Sequence, residues 1–160
     1  MVYTIRNQEQ FMVDVTTEII IHASIKEVAP FATDPGNAPQ WYVNIKSVEW
    51  QTAKPLQPGS RIAFKAKFLG RELSYVYEIT EFKPGEKLVM QTANGPFPMQ
   101  TIYTWQRIND TTTKMTLRNK GNPAGFSKWF APFVRAAMKR ANKQDLRLLK
   151  SIVETEINHH

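Results

Sequence analysis

The chain contains no cysteine among its 160 residues, so disulfide bonds, thiol nucleophiles and thiolate metal sites are excluded. No apolar run approaches the roughly 18 residues of a membrane-spanning helix. The first ten residues lack the basic-then-apolar order of a secretory signal. Internal repeats and low-complexity segments are absent as well. We therefore predict a cytoplasmic protein with one domain over residues 1–160, whose polar tails cover 1–10 and 155–160.

Residues that commonly carry out catalysis or bind metals are scarce. The chain has three histidines: His22 ends a predicted strand, and His159 and His160 lie at the C-terminus. One internal histidine cannot build a dependable metal site. No Ser-His-Asp arrangement, Gly-rich phosphate loop or paired-carboxylate spacing is present either. The sequence thus predicts no metal and no cofactor, and it assigns no catalytic residue.

The formal net charge is +7, but the basic residues are not accompanied by the sequence motifs of nucleic-acid-binding proteins. There is no Arg/Gly-rich tract, zinc-finger spacing or aromatic RNA-binding motif, so we predict no nucleic-acid partner. Basic residues concentrate on one side of the last predicted helix, namely Lys128, Arg135, Lys139, Lys143 and Lys150. This side is either a solvated surface or a weak contact with an anionic membrane, where each charge contributes about 1 kcal/mol.

The last quarter of the chain, residues 126–154, has the pattern of a long helix. Winding it at about 100° per residue gathers an apolar arc, which comprises Phe126, Phe130, Phe133, Val134, Ala137, Ala141, Leu148 and Ile152. The arc is too broad for a coiled-coil seam, so a sheet is the predicted partner. Pro132 disfavours helical dihedrals at Ala131, which leaves either a kink or a helix that starts near Ala131. The small residues Ala137 and Ala141 leave room between helix and sheet.

The rest of the chain reads as one strand, two short helices and then a run of strands. Ser24 and Glu27 have capping-box spacing at the start of the first helix, and the second ends around Trp41. Predicted strands cover residues 11–22, 45–52, 61–69, 72–82, 87–93, 99–108 and 113–119. Consecutive strands with short loops form an antiparallel sheet. The predicted class is α+β, with a curved antiparallel sheet of about six or seven strands around a long C-terminal helix.

Several local segments resemble the START-like, birch-pollen-allergen-like superfamily and its polyketide cyclase/dehydrase and lipid-transport branch. They are VTTEIIIHASIKEVAPFATDP, the Trp41 before a strand, PGSRIAF, ITEFKPGEKLVM, NDTTTKMTL and DLRLLKSIVE. The resemblance covers about residues 11–154 and implies a helix-grip fold with a hydrophobic cavity between sheet and long helix. Members carry lipids, sterols, polyketides or hormones, assist a chaperone ATPase, or act as cyclases.

The candidate ligand-binding residues are inward-facing side chains of the predicted strands together with the apolar helix arc. From the sheet they are Phe64, Phe68, Tyr75, Tyr77, Met90, Tyr103 and Trp105. From the helix they are Phe126, Phe130, Phe133 and Ala137. A mostly apolar lining with a few hydroxyls is usual for a small-molecule pocket. The same side chains could instead fill a solid core.

The predicted function is binding or transport of a small hydrophobic ligand: a lipid, a polyketide or an aromatic compound. One alternative is a polyketide cyclase- or dehydratase-like enzyme that uses Tyr75, Tyr77 or Tyr103. A tyrosine has an unperturbed pKa near 10, so it would need strong tuning to act as a base near neutrality. The other alternative is a chaperone-cofactor-like interaction protein that uses the basic helix. The sequence gives neither the ligand nor the oligomeric state.

Overall fold

The computed structural model describes residues 11–122 and 130–158. Its strands are β1 Val13–Ile21, β2 Ile45–Trp50, β3 Arg61–Phe68, β4 Arg71–Lys83, β5 Lys87–Asn94, β6 Met99–Asn109 and β7 Thr112–Gly121. Its helices are α1 Ile25–Thr33, α2 Ala38–Trp41 and α3 Ala131–Asn158, with a short 3-10 turn Pro35–Asn37 between α1 and α2. The predicted α+β class, with two short helices after the first strand and a long C-terminal helix, is confirmed.

The described strands form one antiparallel sheet in the order β1-β7-β6-β5-β4-β3-β2. Strands β2 to β7 are neighbours in chain order, joined mostly by short turns with a longer connection over residues 51–60, and β1 pairs with β7. Inward and outward residues alternate, as in β3, where Ile62, Phe64 and Ala66 are buried. Register shifts interrupt the pairing, for example between Ile79 and Glu81 of β4. Such irregularities bend a strand and increase its twist, which suits a sheet that curves around a helix.

The two short helices connect β1 to β2 and contact α3. The Glu27 carboxylate accepts a hydrogen bond from the Ser24 N–H at 3.3 Å, as the capping-box spacing predicts. The Asp34 carboxylate accepts from the Gly36 N–H at 2.9 Å and fixes the following turn. Trp41, the last residue of α2, is fully buried. Its ring therefore ties this connection to the core.

Helix α3 starts at Ala131, so the second of the two alternatives for Pro132 is correct. Pro132 occupies the first turn, where its missing N–H would have no intrahelical partner and its fixed φ suits the helix. The helix continues past Glu154 to Asn158. Part of the predicted polar tail is therefore helical.

The face that α3 turns toward the sheet differs from the predicted arc. Its buried residues are Ala131, Val134, Asn142, Asp145, Leu146, Leu149 and Val153. Phe130, Phe133 and Leu148 are 56%, 63% and 37% exposed, so the prediction that they face the sheet is wrong. The inner face includes the polar residues Asn142 and Asp145. The prediction placed polar residues on the outer face, so the predicted arc is rotated about the helix by about one residue from the observed one.

The buried residues form a large cluster and a small one. The large cluster packs the sheet against α1, α2 and the second half of α3, and includes Ile21, Trp41, Ile62, Leu88, Met115, Leu117 and Leu149. The small cluster lies near the start of α3 and comprises Val13, Val15 and Val134, with Phe68 and Met138 packed against it. The middle of α3, from Met138 to Asp145, lies between them.

Candidate ligand-binding cavity

A cavity of about 380 Å³ lies between the sheet and the middle of α3. Helix α3 contributes Met138, Ala141, Asn142 and Asp145. The sheet and its connections contribute Tyr42, Asn44, Ile45, Ala66, Phe68, Arg71, Glu72, Leu73, Tyr75, Tyr77, Pro96, Phe97, Met99, Thr101, Asn119 and Lys120. Ligand sites in proteins commonly measure roughly 300–1,000 Å³, and this cavity falls within that range.

The cavity opens toward the β3–β4 hairpin and the β5–β6 loop. Arg71, Glu72 and Pro96, which border it there, are exposed. At the opposite end Thr101 and Asp145 are each 3% exposed. The hairpin turn itself has positive φ at Leu69 (50°) and Gly70 (76°). A ligand would thus enter between two loops and place its far end among buried polar groups.

Most of the lining is apolar. Phe68 and Leu73 come from the sheet, Met99 from the start of β6, and Met138 and Ala141 from α3. Ala141 ends in a methyl group, so it leaves open space that a larger side chain would occupy. The sequence predicted this role for Ala141 correctly. Ala137 has no part in this lining.

Tyrosines separate the cavity from the core. The rings of Tyr75 and Tyr77 lie 5.1 Å apart between centroids, and Tyr42 packs on Trp41 at 4.1 Å. The hydroxyls of Tyr42 and Tyr103 are hydrogen-bonded to each other. Burial raises the pKa of all four tyrosines above its ordinary value, to about 12 for Tyr77. They stay protonated near neutrality, which argues against the predicted use of a tyrosine as a base.

A chain of side-chain hydrogen bonds crosses the inner end of the cavity. The hydroxyls of Tyr77 and Thr101 are 2.8 Å apart. Thr101 Oγ1 donates to Asn119 Oδ1 at 2.7 Å. Asn119 Nδ2 donates to Asn142 Oδ1 at 2.9 Å. The chain connects β4, β6 and β7 to α3 and gives an otherwise apolar cavity a polar wall.

Asp145 lies one helical turn beyond Asn142 and is 3% exposed. Its Oδ1 accepts a hydrogen bond from the Val43 N–H at 3.0 Å. Burial raises the pKa of the Asp145 carboxyl to about 7, although the bond from Val43 opposes the shift. Because Asp145 also lines the cavity, a group that titrates near neutrality borders the ligand space.

The structure brings only some of the predicted site residues together. Phe68, Tyr75 and Tyr77 line the cavity. Phe64, Met90 and Tyr103 instead border a gap of about 30 Å³ in the core, and Trp105 is buried without reaching the cavity. On the helix side, Phe126 lies outside the described residues, Phe130 and Phe133 are exposed, and Ala137 is partly exposed.

The predicted basic surface is only partly present. Arg135, Lys139 and Lys143 are exposed, and Lys128 lies outside the described residues. Lys150 does not belong to that surface, because its Nζ donates to the Ile20 carbonyl at 2.9 Å and to Glu154 at 2.6 Å. Contact with an anionic membrane stays a prediction.

Two other features are absent from the residues that the structure describes, namely a membrane-spanning helix and a metal-binding cluster. None of the helices in residues 11–122 and 130–158 combines the length and the apolar character that a membrane crossing requires. The same part of the chain holds no group of three or more His, Asp or Glu side chains arranged to bind a metal ion.

The two buried polar residues that α3 contributes to the cavity were not predicted. Asn142 and Asp145 lie three residues apart, on the same stripe as Val134, Met138 and Leu149. The signal in the sequence is a pair of polar residues that interrupts an apolar stripe at helical spacing. Such a pair indicates a site, because a buried polar group needs an explanation that a buried apolar one does not.

Comparison with solved structures returns the same fold at low sequence identity. A protein from Thermus thermophilus superposes with a TM-score of 0.77 at 16% identity, covering 89% of this chain and 98% of that one. A START superfamily protein from Mycobacterium smegmatis gives 0.77 at 13%, covering 89% and 97%. The ZhuI aromatase/cyclase from a Streptomyces species gives 0.74 at 12%, covering 90% and 94%. These likenesses establish a START-like helix-grip fold.

Sequence comparison gives two results. None of the curated proteins matches the chain. A family model described as polyketide cyclase / dehydrase and lipid transport matches residues 12–154, which run from the start of β1 almost to the end of α3. The chain therefore belongs to the polyketide cyclase/dehydrase and lipid-transport family.

Proposed function

We propose that the protein binds or transports a small, largely apolar ligand in the cavity between the sheet and α3. The observation that carries this proposal is the unfilled space of about 380 Å³ between two packed core clusters. Protein interiors are close-packed and contain few voids larger than a water molecule. A void of this size, lined mainly by apolar side chains and open at one end, is the usual form of a ligand site.

The ligand class follows from the lining and from the family. Phe68, Leu73, Met99 and Met138 would surround a hydrocarbon or aromatic portion. The polar wall would meet a single polar end. Lipids, polyketides and aromatic compounds fit this division, and the family's description as polyketide cyclase / dehydrase and lipid transport supports the first two classes.

Direct analysis of the purified protein tests the proposal. Native mass spectrometry and solvent extraction should detect a co-purifying apolar molecule. The emptied protein should bind the neutral dye Nile red saturably at one site, with a Kd of roughly micromolar order, equivalent to about −8 kcal/mol. A protein that carries no extractable molecule and shows no saturable dye binding would contradict the proposal.

A cyclase- or dehydratase-like activity is a second candidate, and Asp145 is the observation that favours it. A general acid or base works best when its pKa lies near the operating pH. Burial places the pKa of Asp145 at about 7 beside the cavity, whereas the tyrosines are shifted away from neutrality.

The second candidate is tested with an enolisable apolar ketone as substrate. Asp145→Asn should lower turnover by roughly 10²–10⁴-fold, the usual contribution of an acid–base group. Binding of Nile red should change little. Unchanged turnover in the variant would remove Asp145 from this role, and no turnover by the unmodified protein would reject the enzyme.

A further inference from the structure

Asn142 has an unused hydrogen-bond donor at the cavity. The residue is 3% exposed, it lines the cavity, and its Nδ2 has no hydrogen-bond partner among the described residues. A buried polar group without a partner destabilises the folded protein, because it has lost its hydrogen bonds to water. An acceptor that enters the cavity and reaches Nδ2 would remove much of that destabilisation.

The hydrogen-bond chain fixes which atom Asn142 presents. Thr101 donates its single hydroxyl hydrogen to Asn119 Oδ1, so the Tyr77 hydroxyl donates to Thr101. The Asn119 amide is thereby oriented with Nδ2 toward Asn142 Oδ1. Reversing both amides would make Thr101 Oγ1 an acceptor from Asn119, and one hydroxyl hydrogen of the Tyr77–Thr101 pair would then have no acceptor along this chain. Asn142 therefore turns an N–H donor, not an oxygen, to the unpaired side.

Asp145 limits which hydrogen-bond acceptor a ligand can place beside Asn142. Residues three apart on a helix are neighbours on its surface, with Cβ atoms about 5–6 Å apart. Above about pH 7, where Asp145 is ionised, a ligand carboxylate beside it would meet a like charge in a poorly solvated site. A neutral carbonyl oxygen meets no such repulsion. Two basic residues also line the cavity. Lys120 is near the end of β7, and Arg71 is at the β3–β4 hairpin.

We propose that Asn142 Nδ2 binds a neutral carbonyl oxygen of the ligand, as in a ketone, an ester or an amide. This inference rests on the proposed function, because it specifies the polar end of the molecule that the cavity receives. The carbonyl would complete the chain that begins at Tyr77 and would lie at the buried end, while the apolar part of the ligand extends along Met138 and Phe68 toward the opening.

The test compares three ten-carbon probes in displacement of Nile red: decane, methyl octyl ketone and decanoate. Asn142→Leu keeps a similar side-chain size but removes the donor. The variant should lose roughly 2–10-fold in affinity for the ketone, which corresponds to one net hydrogen bond of about 0.5–1.5 kcal/mol. Its affinity for decane should not fall. In the unmodified protein at a pH above about 7, the ketone should bind more tightly than decanoate.

Each outcome has a separate meaning. Equal losses for ketone and decane, or no loss for the ketone, would overturn the role of Asn142 while the cavity stands. Tighter binding of decanoate than of the ketone would overturn the preference for a neutral carbonyl. Failure of the unmodified protein to bind any probe or the dye would reject the proposed function itself. If Asn142→Leu does not fold, Asn142→Ala gives the same comparison.

Discussion

Replacing Ala141 by phenylalanine is expected to weaken binding of Nile red or of a co-purifying ligand by at least tenfold, which is about 1.4 kcal/mol or more. Ala141 lines the cavity from the middle of α3. A phenyl ring at this position would project into the space that the ligand needs. Filling a void adds apolar contacts, so the variant should unfold at the same temperature as the unmodified protein or higher.

Ala136 provides the matched control. It lies on the same helix but is exposed, so Ala136→Phe makes the same chemical change outside the cavity. This control should bind the dye with unchanged affinity. If Ala141→Phe binds as tightly as the control while remaining folded, the ligand does not occupy this cavity. A thermal melt of both variants separates lost binding from lost folding.

The fold was predictable because local signals agreed with one another. Turn residues such as Pro84-Gly85 separate strands whose alternation is clear, and short loops force neighbouring strands to pair. Pro132 marked the region where α3 begins, because proline is tolerated in a first turn and not in a helix interior. The pairing of β1 with β7 has no local signal, because the two strands lie at opposite ends of the sheet-forming part of the chain, and it was not predicted.

The sheet side of the site was only half predictable. Alternation along a strand determines which residues face inward, and it placed Phe64 and Phe68 on the same face. It does not determine where along the strand the helix packs closely and where it leaves space. Phe64 consequently belongs to the core and Phe68 to the cavity. That distinction depends on the approach of α3, which is a tertiary property.

The helix side was predicted only in part, for a different reason. Exposed Phe130 and Phe133 carry much apolar surface, so they dominated the winding argument. The residues that line the cavity include Asn142 and Asp145, whose polarity argued for the outer face. A functional cavity requires polar groups where packing alone would place apolar ones. The apolar pattern of a helix therefore does not predict its inner face where that face lines a cavity instead of a solid core.

Asp145→Asn is expected to stabilise the protein above about pH 7. The folded-state pKa of Asp145 is about 7, and the unfolded value is about 3.9. Since the folded state favours the neutral acid, this group's stabilising contribution is complete below about pH 4. It is lost as the pH rises to about 7. At 1.36 kcal/mol per pKa unit, the ionised carboxyl makes the folded state less stable by about 4 kcal/mol above that range.

Chemical denaturation at about pH 4 and about pH 8 measures this effect. Asparagine has the same shape, carries no charge, and keeps an oxygen for the Val43 N–H. The variant should therefore match the unmodified protein at low pH and exceed its free energy of unfolding by up to about 4 kcal/mol at high pH. Asp14→Asn is the control of opposite sign. The Arg118 guanidinium lowers the pKa of Asp14, so that variant should lose stability above the acid range.

If Asp145→Asn changes the free energy of unfolding equally at both pH values, Asp145 does not titrate near neutrality. The case for an acid–base group at the cavity then fails. If the expected difference appears, a carboxyl that destabilises the folded state at neutral pH occupies a position where asparagine would be more stable. Stability alone does not account for such a residue. A ligand group that accepts or donates a proton at Asp145 would account for it, and ligand binding should then reduce the difference between the two proteins at high pH.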